Sequence, residues 1–225
     1  PAALDGCTTR RALSQEGGRG RSRHFPQAQA LPDLQEAIGP TSPPLLLATL
    51  PRGWARTYPN LLTVEAVKGF EFATFTQEDQ DAVVRHAAML PFARNLFDPM
   101  DFTPVVFHDI PNIRRATRNG FELALSVVFL SGIQHYAETP EGMATVPAAV
   151  KGLLRELPRQ WDEVRFLAGE PGRYVVLARR AGTQWFIAGL NADDTPRDVA
   201  LDLAWLGART GQLLTDGAGP REFAE

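Results

Sequence analysis

Several features that mark whole classes of protein are missing from this chain of 225 residues. Its single cysteine, Cys7, excludes an intrachain disulfide. No stretch reaches the roughly 18 apolar residues of a membrane-spanning helix, because Glu122 and Ser126 interrupt the best apolar run, residues 121–133. The formal net charge of −3 leaves no basic surface for nucleic acid. We therefore predict no transmembrane segment and no nucleic-acid partner.

Histidine is also scarce, with four in the chain. His86, His108 and His135 stand alone without the spacing of metal ligands, so each is expected to be a structural or surface histidine. Length sets a further bound, because a complete (β/α)8 barrel takes about 250 residues. The composition, 44% apolar and 22% charged, is typical of a globular protein. The chain is nevertheless too short to hold such a barrel together with another domain.

The first part of the chain differs in composition from the rest. Residues 10–24 are rich in arginine and glycine, and residues 40–44 are rich in proline, with little hydrophobic periodicity in either. We predict that residues 1–47 are disordered. A basic tail is one alternative, and a segment translated from a shifted frame or a wrong start codon is favoured over it.

Two helices and one strand are predicted in the middle of the chain. Over residues 76–94 apolar residues recur at helical spacing, with Thr76 near the start and Pro91 at or beyond the end. Residues 103–107 are predicted to form a strand that follows a turn. Residues 114–133 are apolar on all sides, which predicts a buried helix.

The last third of the chain changes to a period of two, which is typical of strands. The sequence predicts strands at residues 162–167, 173–180, 184–190 and 198–203, with a hairpin turn at residues 180–183. An antiparallel sheet is therefore expected. Trp185 and Trp205 could stack on a sugar ring, but tryptophan in a small β domain more often belongs to the core.

Two carboxylates stand six residues apart around a glycine, at Glu65, Gly69 and Glu71. In one unbroken helix they would lie about 240° apart on different faces. A loop or helix start bent at Gly69 could instead turn both toward one pocket. Two convergent carboxylates are what the cleavage of a glycosidic bond requires, whereas spacing alone favours solvated surface residues.

A series of sequence blocks around these carboxylates is similar to successive landmarks of glycoside hydrolase family 97. The blocks are residues 51–60 (PRGWARTYPN), Glu65 with Gly69 and Glu71, residues 89–92 (MLPF), residues 98–104 (DPMDFTP), and residues 122–129 (ELALSVVF) with Ser131, Gly132 and Gln134. Their order makes the resemblance specific. It covers residues 48–215 and does not extend to the residues before them.

The resemblance implies a fold of two classes, α/β followed by all-β. Residues 48–158 would be the C-terminal portion of a catalytic (β/α)8 barrel. Residues 159–225 would form an antiparallel β-sandwich domain, with its last part unfinished. The barrel strand that carries the nucleophile of retaining members has no counterpart in this chain, so the chain is expected to be inactive by itself.

The resemblance also implies an activity, a cofactor and site residues. Family members are exo-acting α-glucosidases and α-galactosidases that hydrolyse terminal α-linked sugars of oligosaccharides or glycosides. Glu71 matches the general acid, Glu65 matches a ligand of the calcium cofactor, and Asp101 is a candidate for substrate binding or, equally, a residue that caps a turn. The family suggests a periplasmic or secreted bacterial enzyme.

The resemblance further implies a retaining mechanism. Residues 49–54 (TLPRGW) follow the pattern of retaining members, and no carboxylate stands near Leu47, where inverting members carry their base. Two other hypotheses remain open. One is a non-catalytic carbohydrate-binding or interaction module built on the terminal sheet, and the other is an unrelated α+β protein.

Overall fold

The computed structural model describes residue 56, residues 62–207 and residues 209–225. These residues belong to one compact unit, Leu50–Glu225. The predictions for residues 1–47 and 49–54 lie outside the described residues. Within the described part, no helix combines the length and the apolar character needed to cross a membrane.

The first long helix, α1, spans Gln77–Met89 and follows a short 3-10 helix, Phe70–Thr74. Its start is fixed by Thr76, whose hydroxyl accepts a hydrogen bond from the Asp79 N–H at 3.1 Å. A second 3-10 turn, Leu90–Phe92, contains Pro91 and ends the α-helical geometry. The predicted helix is therefore confirmed, with an earlier end.

Four shorter α-helices follow α1 within the part of the chain that the structure describes. They are α2 (Arg94–Phe97), α3 (Asn119–Val128), α4 (Pro140–Thr145) and α5 (Ala148–Glu156). The apolar helix predicted at residues 114–133 is buried as expected, but as α3 it is ten residues long. It begins late because Arg115 and Thr117 take part in side-chain and carbonyl contacts outside a helix.

The strand predicted at residues 103–107 is wrong. Thr103 and Val105 have φ values of +54° and +71°, a region that β-branched residues rarely occupy and that breaks an extended strand. The N–H groups of Val105 and Val106 bond to the Glu122 carboxylate at 3.1 and 3.4 Å. A side chain has therefore taken the donors that a neighbouring strand would have used.

The sheet is antiparallel with the order β1–β2–β3, formed by β1 (Glu163–Glu170), β2 (Tyr174–Ala181) and β3 (Gln184–Asn191). Ala181 pairs with Gln184 across a two-residue turn, in which Gly182 adopts a φ of +57°. Three of the four predicted strands and the hairpin are thus confirmed.

The fourth predicted strand, residues 198–203, forms no ladder with any described residue. Side-chain burial alternates from residue 197 to residue 205, as in a strand. Both ends of this segment contact the face of the sheet that points away from α3. Arg197 lies 4.3 Å from the Tyr174 ring centroid, and the ring centroids of Trp205 and Trp185 are 4.5 Å apart. The segment lies across a face of the sheet, so its backbone is not beside an edge strand with which it could form hydrogen bonds.

The other face of the sheet shares a core with the helices. α3 packs against β3, and one cluster includes Phe70, Leu125, Val128, Val175 and Leu190, each at most 2% exposed. A two-stranded hairpin, β4 (Thr215–Asp216) and β5 (Phe223–Ala224), contacts α3 as well. The helical part and the sheet therefore form a single packed unit.

Candidate active site

Glu65 and Asp101 occupy neighbouring positions on two paired segments. Val64 and Met100 form an isolated parallel bridge, and the Asp101 N–H donates to the Val64 carbonyl at 3.2 Å. Backbones paired in this way run about 4.8 Å apart. The backbones at Glu65 and Asp101 are therefore adjacent.

Glu71 is tied to the same place by the residues before it. The Phe70 N–H donates to the Phe102 carbonyl at 2.8 Å. A Cβ at Gly69 would lie 3.1 Å from that carbonyl oxygen, so this approach favours glycine. Glu71 itself is exposed in the first turn of the 3-10 helix. The backbone that precedes Glu71 is thus held against Phe102, the residue after Asp101.

A buried arginine fastens these segments together. The Arg94 guanidinium, on a residue only 7% exposed, donates to the carbonyls of Val64 at 2.6 Å and Glu65 at 3.2 Å. It also donates to the carbonyls of Asp98 and Pro99, both at 3.0 Å. Burial lowers the pKa of Arg94, and the Asp98 carboxylate opposes that shift. Carbonyl oxygens from both segments, residues 64–65 and residues 98–99, thus compensate the charge of Arg94.

Asp101 has one imidazole beside it. His135 Nδ1 lies 3.4 Å from the Asp101 carboxylate, and both side chains are about 30% exposed. No group of three His, Cys, Asp or Glu side chains with metal-binding geometry occurs among the described residues. Because calcium takes six to eight oxygen ligands, Glu65 by itself could supply only part of a calcium shell.

The residues after Asp101 are held by charged side chains that the sequence did not single out. Glu138 accepts the N–H groups of Phe107 at 2.7 Å and His108 at 3.1 Å. His108 also bonds to Glu138 through Nδ1 at 2.9 Å. Burial would raise the pKa of Glu138, but these hydrogen bonds outweigh it and lower that pKa. His108 is therefore structural, as its isolation in the sequence suggested.

Glu122 and Arg115 hold the same segment from inside. Burial raises the pKa of Glu122, which is fully buried, against the opposing influence of Thr117 and Arg115. Arg115 donates to the carbonyls of Val106 and His108, and burial lowers its pKa to about 10. One signal of Glu122 was visible in the sequence, because this residue interrupts the most apolar run of the chain.

The two tryptophans considered for sugar stacking are half-buried and contact each other. The Arg165 guanidinium lies 4.2 Å from the Trp205 ring centroid and 5.1 Å from that of Trp185. The cation thus lies against both rings, and this cluster favours a structural role.

A cavity of about 2100 Å³ lies elsewhere in the described part. It is bounded by α3, α5, β3 and residues 209–216. Glu65, Glu71 and Asp101 do not line it. The candidate catalytic carboxylates therefore belong to a different surface of the molecule.

Comparison with known proteins finds similarity to glycoside hydrolases. The family model described as "Glycosyl-hydrolase 97 C-terminal, oligomerisation" matches residues 160–222. A probable retaining α-galactosidase of Streptomyces bingchenggensis is 44% identical over 142 residues, which cover 63% of this chain and 21% of the relative. The chain contains a glycoside hydrolase family 97 C-terminal region. A retaining α-galactosidase of Bacteroides thetaiotaomicron is 32% identical over 184 residues, 74% of the chain and 26% of the relative.

Solved structures similar to this chain include a β-arabinopyranosidase, with a TM-score of 0.66 and 37% identity over 69% of this chain and 26% of that one. A family 97 enzyme of Pseudoalteromonas sp. strain K8 in complex with panose has a TM-score of 0.55 and 30% identity over 62% of this chain and 22% of that one. The chain thus spans about a fifth to a quarter of the length of the relatives it matches.

Proposed function

We propose that residues 62–158 carry the general acid and part of the calcium site of a retaining α-glycosidase. The observation that supports this proposal is the backbone pairing of Val64 with Met100, next to Glu65 and Asp101, together with the hydrogen bond from the Phe70 N–H, next to Glu71, to the Phe102 carbonyl. The names of the two α-galactosidase relatives support the reaction. In this proposal the helical part belongs to a catalytic barrel and the sheet to a β-sandwich.

Glu71 is the residue that would exchange protons with the substrate. Its exposed carboxyl can reach a leaving-group oxygen, protonate it, and then remove a proton from the water that releases the sugar. Glu65 would help to hold the calcium ion, a hard cation that binds carboxylate oxygens, and Asp101 would contact the sugar. Retention also requires a carboxylate nucleophile, and we identify none among the described residues.

The substrate class follows from the relatives. A β-L-arabinopyranoside has the ring configuration of an α-D-galactoside without the exocyclic carbon. The names of the α-galactosidases and of the β-arabinopyranosidase therefore point to the same ring stereochemistry. We propose a terminal sugar of this configuration, with α-glucosides as the alternative substrates.

A chimera can test the roles of these residues. The matching part of the Streptomyces α-galactosidase would be replaced by that of this chain. With Glu71→Gln, we expect the hydrolysis of sugars with poor leaving groups to fall by about 10² to 10⁴-fold, whereas dinitrophenyl glycosides that need no acid are cleaved well. Glu65→Gln should instead raise the calcium concentration needed for activity.

The matched control is Glu78→Gln, because Glu78 is exposed in the first turn of α1. It should leave both measurements unchanged. Full activity of Glu71→Gln on poor leaving groups would remove Glu71 from the chemistry. An anomer of inverted configuration as the first product would refute retention.

A second candidate function is a non-catalytic interaction module. The specific observation that favours it is the word "oligomerisation" in the description of the family model that covers the sheet.

A further inference from the structure

One histidine of the described part contacts the acidic side chain that we assign to the sugar. Nδ1 of His135 lies 3.4 Å from each of the two carboxylate oxygens of Asp101. His86 and His108 are instead hydrogen-bonded to groups outside the candidate site. Within the described residues, no other side chain forms an ion pair with Asp101. The surroundings of the Asp101 carboxylate are therefore set largely by this imidazole.

Hydrogen bonds on both sides of His135 fix its position. The side-chain amide of Gln134 donates to two carbonyls at the end of α3, at 2.8 and 3.2 Å, where a helix leaves carbonyls without helical partners. On the other side, the Ala137 N–H donates to the Pro104 carbonyl at 2.9 Å. The imidazole is therefore held beside Asp101 by contacts of its neighbours in the chain.

The backbone near Asp101 has a shape that its residue types do not favour. Thr103, two residues after Asp101, has a φ of +54°, and Ala66, directly after Glu65, has a φ of +44°. Residues with a Cβ rarely occupy this left-handed region, and residues held in it cluster at functional sites. The strain favours a function that needs Asp101 in one defined place.

An imidazole N–H can restrict the orientation of a carboxylate. A carboxylate only accepts hydrogen bonds, so Nδ1 of His135 carries a proton and is the donor. Because Nδ1 lies at the same distance from both oxygens of Asp101, rotation of the carboxylate is opposed from either side. Each oxygen has two lone pairs, so both oxygens keep the capacity to accept a further hydrogen bond.

We propose that His135 is a positioning residue, which holds the Asp101 carboxylate in the orientation that accepts hydrogen bonds from hydroxyls of the terminal sugar. This inference rests on the proposed function, in which Asp101 contacts the sugar. Fixing a binding group before the ligand arrives lowers the entropic cost of binding. A carboxylate in one orientation also favours hydroxyls at defined ring positions. His135 thus contributes to the choice of sugar through Asp101.

The first test reads the imidazole tautomers of the full chain by nitrogen NMR at about pH 9, above the ordinary histidine pKa of about 6.5. His135 should carry its proton on Nδ1. His86 is the internal control, because its Nε2 bonds to the Lys68 carbonyl and should carry the proton there. Asp101→Ala should return His135 to the Nε2–H tautomer and leave His86 unchanged. An Nε2–H tautomer of His135 in the unsubstituted chain would overturn the proposal, whatever the activity.

The second test uses the chimera of the proposed function. His135→Leu should lower kcat/KM by about 10 to 10²-fold, and His135→Asn should recover most of that loss, because its side-chain amide can donate in place of Nδ1–H. When Asp101→Ala is already present, His135→Leu should have less than about a twofold further effect.

Two results of the second test would count against the role of His135. They are equal losses for the leucine and asparagine substitutions, and an effect of His135→Leu that persists in full with Asp101→Ala. Full activity of Glu71→Gln would instead refute the proposed function, and the tautomer of His135 would be unaffected by that result.

Discussion

At the scale of single residues, Arg94 organises the candidate site without belonging to the proposed chemistry. Its guanidinium bonds to four backbone carbonyls on two segments, those of Val64, Glu65, Asp98 and Pro99. A planar fork of five N–H donors can do this from one position, and a lysine ammonium with three donors cannot.

We therefore expect Arg94→Lys to leave buried carbonyls without a partner and to lower the free energy of unfolding by about 1–3 kcal/mol. Urea unfolding followed by circular dichroism measures this. Arg85→Lys is the control, because Arg85 is exposed on α1, and it should change stability by less than about 0.5 kcal/mol. Equal losses in the two variants would show that the carbonyl contacts of Arg94 do not stabilise the fold.

Glu138 makes the stability of the protein depend on pH in the acidic range. Its pKa is lowered from the ordinary value of 4.5, so its stabilising effect is complete above that value and is lost as the pH falls through the lower pKa of the folded state. Glu122, whose pKa is raised, acts in the opposite direction. The quantity to measure is therefore the difference between the unsubstituted chain and Glu138→Gln.

We expect the unsubstituted chain to lose more stability than Glu138→Gln when the pH is lowered from about 7 to about 3. Thermal unfolding at several pH values measures the two slopes. Glu141→Gln, at an exposed position on α4, should keep the slope of the unsubstituted chain. Parallel slopes for Glu138→Gln and the unsubstituted chain would contradict the assignment.

The structural roles of these charged residues could not be predicted from the sequence. Glu65, Glu71 and Asp101 could be named because they lie in recognisable blocks, and the bend at Gly69 could be foreseen from its position. Nothing local marks Arg94 or Glu138 as buried, because charged residues are mostly exposed. Their partners lie up to 31 residues away in the sequence.

At the scale of elements, the sequence predicted those helices and strands that are determined by interactions between residues close together in the chain. Thr76 and the apolar spacing gave the start of α1, and alternation with a glycine turn gave β2 and β3. Residues 103–107 and 198–203 have strand-like sequences, but a strand also needs a partner edge. Glu122 occupies the donors of the first segment, and the second lies across a face. In both cases the interaction that replaces strand pairing involves residues distant in the sequence.

The docking of the C-terminal hairpin on α3 can be tested at Gly120. The Gly120 N–H donates to the Asp216 carboxylate at 2.6 Å, and a Cβ at this position would lie 2.8 Å from Asp216 Oδ1 and 2.9 Å from its backbone nitrogen. We expect Gly120→Ala to destabilise the protein despite the better helix propensity of alanine. Amide exchange at residues 216–223 should accelerate in this variant.

Gly152 on α5 provides the matched control, since a Cβ there would meet nothing within 4 Å. Gly152→Ala should stabilise the protein by about 0.5–1 kcal/mol. If Gly120→Ala is stabilised by the same amount, the close contact with Asp216 is absent in solution.

At the scale of the whole molecule, one core joins the helical part to the sheet. Leu125 on α3 is 1% exposed and belongs to the same cluster as Val175 and Leu190. We expect one cooperative unfolding transition, with tryptophan fluorescence and helical circular dichroism changing together. Leu125→Ala should lower stability by about 2–5 kcal/mol and shift both signals equally.

Leu213→Ala is the control for that experiment, because Leu213 is 73% exposed. It should have little effect on either signal. Two separate transitions, or a shift of the helical signal alone, would mean that the helical part and the sheet unfold independently.

The contact between Trp185 and Trp205 has an optical consequence. At a centroid distance of 4.5 Å and an interplanar angle of 66°, the transition dipoles of the two indoles couple, which splits their absorption into a pair of circular dichroism bands of opposite sign. Trp185 lies on β3 and Trp205 lies at the end of the segment that crosses the sheet. The band pair is therefore a built-in spectroscopic signal of the docking of that segment, and it disappears when either ring moves away.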